Sequence, residues 1–109
     1  MHELGITRNI VAIVSEHAAG APVTRVTVEI GKLSAVMPDA VRFCFDVCTE
    51  GTCLEGAELE ILEIDGRGEC LQCGASVPLP TLYATCPCGS ARIRCVAGEE
   101  LKVKQMEVT

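Results

Sequence analysis

Ile6, Ile10, Ile13, Val14 and His17, with Val11 beside them, form a stripe at helical spacing, which predicts an amphipathic helix over residues 4–17. Gly20 ends it and Pro22 prevents its continuation. The period then falls to two. Val26, Val28 and Ile30 alternate with Arg25, Thr27 and Glu29, the pattern of a strand over 23–30 with one wet face. Residues 31–37 connect, and Pro38 opens a second helix at a position where its missing N–H is harmless. That helix, over 38–49, turns Val41, Cys44, Phe45 and Cys48 inward and stops at Glu50-Gly51-Thr52. A second strand over 57–64 directs Leu59 and Ile61 to the core. Strand, short helix and strand in this order most simply make a right-handed βαβ unit with parallel strands. Beyond the break at Asp65-Gly66-Arg67-Gly68, Ala91, Ile93 and Cys95 alternate with Arg92 and Arg94 as a half-buried strand. After the joint at Ala97-Gly98, Leu101, Val103, Met106 and Val108 describe a last strand. Its phase shifts by one residue between Val103 and Met106, which predicts a bulge near Lys104-Gln105.

Between these elements lie Cys70-Leu71-Gln72-Cys73-Gly74 and Cys86-Pro87-Cys88-Gly89, with twelve residues between Cys73 and Cys86. A tetrahedral Zn²⁺ takes four thiolates, and two tight turns joined by a short hairpin supply them without a large core. Each pair is closed by a glycine, which tolerates the positive φ that such a turn needs. A redox dithiol at Cys70 and Cys73 would require a helix after the motif, and Gly74, Pro78 and Pro80 deny it one. The second pair has a tighter bite than the usual knuckle, and Cys95 lies close enough in sequence to stand in for one ligand. Its place in an alternating strand favours Cys86 and Cys88 instead. The expected fold class is α+β: a small mixed three-stranded sheet packed with two helices, with an inserted zinc-ribbon module. Residues 1–65 plus 97–109 are expected to form one domain and residues 66–96 the zinc-binding ribbon.

A chain of 109 residues suits one domain, or one small core with a metal-held appendage. The longest apolar run, Ile10 to Val14, is far short of a membrane span. No basic, apolar and small-residue signal pattern is present, so the cytoplasm is the expected compartment and a metal is a better reading of eight cysteines than a secreted disulfide framework. The formal charge is −6 with thiols counted neutral, and Zn²⁺ on four thiolates makes the protein more acidic still. Such a surface is repelled by phosphate backbones, which disfavours the nucleic-acid role common among zinc ribbons. It suits a metal or a basic protein face.

The sequence opens Met1-His2-Glu3. A free α-amino group, a backbone amide that a bound metal can deprotonate and the His2 imidazole lie within chelate reach of one another. This nitrogen-rich set matches the square-planar preference of Ni²⁺ or Cu²⁺. On the residues alone, a frayed terminal His2 is the simpler reading.

Taken together, several segments resemble the HypA/HybF family of hydrogenase nickel-incorporation proteins. They are Met1-His2-Glu3, the first helix, the strand ending Glu29-Ile30-Gly31-Lys32-Leu33-Ser34, the Phe43-Cys44-Phe45-Asp46 helix, its Thr49-Glu50-Gly51-Thr52 stop and the two thiolate pairs. The resemblance covers essentially the whole chain, in the same order. It implies a nickel metallochaperone, not an enzyme, with nickel held at Met1, His2 and Glu3 and a structural zinc on Cys70, Cys73, Cys86 and Cys88. The implied partners are a HypB-type GTPase and the [NiFe]-hydrogenase large subunit, with the chain itself a monomer or weak homodimer. The sequence departs from the family at Cys86-Pro87-Cys88, where CPxC is usual. That departure bears on half of the zinc geometry and leaves the nickel motif untouched. Thiolates in a closed tetrahedron would retain Zn²⁺, while nitrogen donors at a terminus suit Ni²⁺ and can release it.

Other residues have plainer readings. His17 near a helix end is favoured by the dipole. Cys44 and Cys48 are one turn apart among apolar neighbours and read as core thiols, Cys53 has no assigned role, and Glu55, Glu58, Glu60 and Glu63 keep a strand surface soluble. An enzyme finds no support, for there is no paired carboxylate and histidine set and no phosphate loop. The competing function is a zinc-ribbon protein-interaction adaptor without nickel handling, which needs the ribbon alone.

Overall fold

The computed structural model describes residues 2–109. Helix α1 (Glu3–Ala18) buries Thr7, Ile10, Val11, Val14 and Ala18, spaced so that they share one side of a 3.6-residue helix. Ile13, part of the predicted stripe, sits at its margin and is 48% exposed. Thr7 is buried because its hydroxyl donates to the Glu3 carbonyl at 2.7 Å, which offsets the desolvation of the hydroxyl. The helix turns off one residue before the expected glycine. Ala19 takes the left-handed conformation, φ 50°, with its N–H on the Ser15 and Glu16 carbonyls, and Gly20 follows at φ 88°.

Strand β1 (Val23–Gly31) then becomes the centre of a three-stranded sheet ordered β2-β1-β6. The chain crosses through α2 (Pro38–Cys48) to β2 (Glu58–Ile64), which runs parallel to β1 with Val26 opposite Leu59 and Val28 opposite Ile61. β6 (Leu101–Val108) pairs antiparallel on the other side. The shift in its hydrophobic phase is a bulge: Thr27 pairs with Gln105 and Val28 with Val103, leaving Lys104 unpaired between them. The sheet is therefore mixed and packs with two helices, as the residue pattern predicts. Its core joins Ile10, Val11 and Val14 of α1 to Val26, Val28 and Ile30 of β1 and to Val41 and Phe45 of α2. Cys48 and Cys53 border that core. The wet face of β1 is drier than alternation alone suggests. Thr27 is buried there, donating to Glu60 Oε1 at 3.2 Å.

Three shorter strands, β3 (Arg67–Cys70), β4 (Ser76–Pro78) and β5 (Ile93–Ala97), form a second, antiparallel sheet ordered β4-β3-β5. Its packed cluster is small: Cys70, Val77 and Cys86, with Ile93 against them. The molecule is correspondingly long, 54 × 23 × 17 Å.

The two sheets meet where backbones approach too closely for side chains. The Gly31 N–H donates to the Glu100 carbonyl and the Leu33 N–H to the Gly98 carbonyl, each at 2.7 Å. A Cβ on Gly31 would overlap the Gly98 carbonyl, and one on Gly98, at φ 113°, would lie 2.6 Å from the Gly66 Cα. An exposed Lys32–Asp65 ion pair, 2.6 Å, closes the same junction.

Candidate metal centre

The four cysteines of the two pairs come from two backbone turns, each closed by a glycine. β3 ends at Cys70, whose carbonyl accepts the Gly74 N–H at 2.8 Å, and Gly74 sits at φ 79°. The Cys86 carbonyl accepts the Gly89 N–H, also at 2.8 Å, and Gly89 sits at φ 97°. Each glycine therefore occupies the left-handed position its turn requires. The two turns are tied together by the Leu71 N–H, which donates to the Arg92 carbonyl at 2.9 Å just before β5.

The thiols converge. Cys70 Sγ lies 3.6 Å from Cys88 Sγ and Cys73 Sγ lies 3.7 Å from Cys86 Sγ. All four sulfurs are within 4.8 Å of one another. A tetrahedron of Zn–S bonds about 2.3 Å long places its sulfurs about 3.8 Å apart, so the donor set fits Zn²⁺ in number, chemistry and spacing. The single-residue bite of Cys86-Pro87-Cys88 delivers both sulfurs to that cluster. Cys70 and Cys86 are buried, while Cys73 and Cys88 face solvent. Cys95 stays apart, its thiol 3.3 Å from the Ala97 carbonyl and its pKa raised by burial and by Glu99.

Gathering four thiols separates their proton affinities. The Cys73 N–H, chiefly, brings Cys70 down to about 6, opposed by burial and helped by the Gln72 N–H and the Cys88 thiol. At Cys86 a backbone N–H from Cys88 pulls the same way. Burial and the Cys88, Cys73 and Cys70 thiols outweigh it and push Cys86 up to about 12. Within the cluster the Cys70 thiolate is favoured and the Cys86 thiolate is not. A dication reverses this by holding every sulfur as thiolate.

His2 and Glu3, of the other candidate metal motif, lie at the start of α1. Met1 falls outside the described residues. His2 is exposed and caps α1, its carbonyl accepting the Ile6 N–H at 3.1 Å. Glu3, in the first turn, has a defined partner: its Oε2 accepts the Met37 N–H at 3.1 Å, which holds its carboxyl below the ordinary glutamate range. Met37 is the N-cap residue of α2 and offers no side-chain cap of its own. A carboxylate from another helix therefore does what a glutamate inside a capping box does for the N-cap amide. The residue pattern alone does not single out Met37. The available signal was Pro38, which marks a helix start, preceded by a residue unable to cap it. His17 stands at the far end of α1, about 22 Å along its axis from His2, so the two imidazoles cannot share an ion. Cys44, Cys48 and Cys53 are half-buried. Among the described residues they belong to no cluster of three or more metal-ligating side chains.

Residues 1–108 match the family profile described as "Hydrogenase/urease nickel incorporation, metallochaperone, hypA". The hydrogenase maturation factor HypA of Nostoc punctiforme is 63% identical over 108 residues, covering 99% of this chain and 96% of that protein. The HypA of Geobacter metallireducens is 50% identical over 109 residues, covering 99% of each. Two solution structures share the fold. One, of a HypA protein, has TM-score 0.75 and 27% identity, covering 100% of this chain and 97% of the other. The second, of the Ni metallochaperone HypA from Helicobacter pylori, has TM-score 0.69 and 25% identity, covering 99% and 97%.

Proposed function

This chain belongs to the HypA family of hydrogenase/urease nickel-incorporation metallochaperones, and from that premise we propose that it carries Ni²⁺ at its amino terminus and delivers it, with a HypB-type GTPase, to the [NiFe]-hydrogenase large subunit. It is a carrier and not an enzyme. Nickel is its cargo, held by the Met1 amine, by amide nitrogen in Met1-His2-Glu3 and by the His2 imidazole, in the compact planar arrangement that Ni²⁺ prefers. The observation that carries this reading is the bond between Glu3 and Met37. It engages the Glu3 carboxylate elsewhere, which leaves nitrogen donors as the natural set, and it steadies the first turn of α1 beside an exposed His2.

Zinc belongs to the structure of the protein. Cys70, Cys73, Cys86 and Cys88 hold it, and residues 66–96 form the unit that depends on it, inserted between residues 1–65 and 97–109. Soft thiolates and planar nitrogen donors sort the two metals by ligand chemistry, so neither site needs to exclude the other ion by shape. Transfer needs lability as well. Donors that must lose protons to bind release nickel when protonated or when a partner supplies competing ligands. Such exchange takes place in the cytoplasm, before the large subunit closes over its active site. The acidic balance of the chain gives these encounters a salt dependence.

In cells making the hydrogenase, a His2→Ala chain is expected to leave the large subunit nickel-free while its own zinc content stays at one. Normal maturation by that variant would leave the zinc-ribbon adaptor as the better reading.

A further inference from the structure

Helix α2 has an outward face that no described residue covers. At 100° per residue, Asp39, Phe43, Asp46 and Val47, with Glu50 just beyond the last turn, fall within an arc of about 100°, opposite the buried Val41 and Phe45. Phe43 is 76% exposed and Val47 56%. They stand one turn apart, the spacing at which two side chains make a single apolar ridge. Phenylalanine so exposed contributes little to its own fold, whereas aromatic side chains with apolar neighbours are the anchors that dominate interfaces.

The surroundings of that ridge are acidic. Asp39, Asp46 and Glu50 share its arc, and Arg42 is the one basic residue of the helix. The Arg42 guanidinium donates to the Leu59 carbonyl at 3.4 Å. The carboxylates of α2 itself, Asp39 and Asp46, take part in none of the ion pairs among the described residues.

Sign decides among the occupants. A second copy packed face to face would set carboxylates against carboxylates, and an anionic bilayer or a nucleic acid would be repelled in the same way. What fits is a protein with an apolar cleft rimmed by lysine and arginine side chains. Position narrows the choice further. The N-cap of α2 is bonded to Glu3, and Phe43 lies about 9 Å along the helix axis from Met37, so whatever sits on the ridge sits next to the His2-Glu3 end of the molecule.

Resting on the nickel-relay reading above, we infer that the Phe43–Val47 ridge of α2 is the docking surface for the GTPase partner, which meets it with a basic-rimmed apolar cleft. The test is binding of the purified GTPase to the untagged, zinc-loaded full chain, followed by calorimetry and by association rate at about 50 mM and about 500 mM salt. F43A/V47A is expected to weaken binding about tenfold or more. Asp46→Lys is expected to slow association several-fold and to flatten its salt dependence. Both variants alter exposed side chains, so zinc content, circular dichroism and nickel binding are expected to match the wild type. L82A/Y83A, which strips the exposed apolar pair of the loop before Cys86, is expected to bind normally. If F43A/V47A binds as the wild type does, or if L82A/Y83A is the variant that loses affinity, the docking surface is overturned and the nickel relay stands. A wild type that self-associates through this ridge, shown by sedimentation when F43A/V47A stays monomeric, makes the occupant a second copy and also overturns the proposal. Wild-type protein that fails to bind the GTPase at either salt concentration overturns both.

Discussion

Removing the metal from the four-cysteine cluster is expected to unfold one sheet and spare the other. The perturbation is chelation at neutral pH, or Cys86→Ser, which takes away one of the two buried ligands. Val77 and Leu79, 4% and 3% exposed, are the well-buried side chains of this region that are not cysteine. Their burial contributes about 1.5–3 kcal/mol each. A structural zinc contributes about 10–16 kcal/mol to a small domain, several times more than those two side chains together. On the proposed zinc site, the second sheet therefore depends on the metal for its stability. The first has Phe45, Ile30, Leu54, Val14, Val26, Val28 and Val41 essentially without exposure and no ligand among them. Amide hydrogen exchange followed by NMR separates the two. After chelation, the amides of Leu71, Cys86 and Gly89, bonded to Arg92, Ser90 and Cys86 carbonyls, are expected to lose protection. Those of β1, locked between β2 and β6, are expected to keep it. Persistent protection at Leu71 and Gly89 without zinc, or equal loss across β1, would refute the argument.

Zinc retention should fall with pH in a defined sense. Without metal the Cys86 thiol keeps its proton up to about 12, so binding at neutral pH must expel it, and below about 6 the Cys70 proton must be expelled as well. Metal-borne stability is thus present at high pH and lost as pH falls, at least about tenfold in affinity per unit and more steeply below about 6, measurable by chelator competition; a flat profile between about pH 8 and about pH 5 contradicts this. Gly98→Ala places a Cβ against Gly66 at φ 113° and is expected to destabilise the junction by about 1–3 kcal/mol in urea denaturation, with an unchanged midpoint as the contrary result. Glu3→Ala leaves the Met37 N–H without its acceptor and should speed exchange of that amide, whereas Glu3→Gln keeps an acceptor and should not. In the wild type the lowered Glu3 pKa means this bond is fully present above about 4.5 and is lost as pH falls through the depressed value; identical exchange in all three proteins would remove the bond from the account.

Much of this architecture is legible in the residues because it rests on local period and local turn chemistry. The alternation from Arg25 to Ile30 marks β1, and the slipped phase after Val103 marks the bulge at Lys104, since a strand's side chains change face with every residue. The thiolate pairs announce their turns through Gly74 and Gly89. What the residues hide depends on partners distant in sequence. Nothing local shows that Ile13 lies at the margin of the α1 face while Thr7 is buried, or that Thr27 is covered by Glu60 from the neighbouring strand. Gly31, Gly66 and Gly98 look like ordinary breaks, and only their mutual approach reveals a junction. The Glu3 acceptor is hidden in the same way, because Met37 follows it by 34 residues.

The central claim is that nickel and zinc occupy separate sites, one made by the amino terminus and one by thiolates. Titration of zinc-loaded protein with Ni²⁺, by isothermal calorimetry on the untagged chain, on His2→Ala and on a chain with a short amino-terminal extension, tests it most directly. The account predicts one specific Ni²⁺ on the native chain and none on the other two, with one Zn²⁺ retained in all three. Binding to the native chain should weaken as pH falls toward and below about 6.5, where protons compete for the imidazole. Equally tight nickel binding by His2→Ala or by the extended chain, or nickel that displaces the zinc, would contradict it.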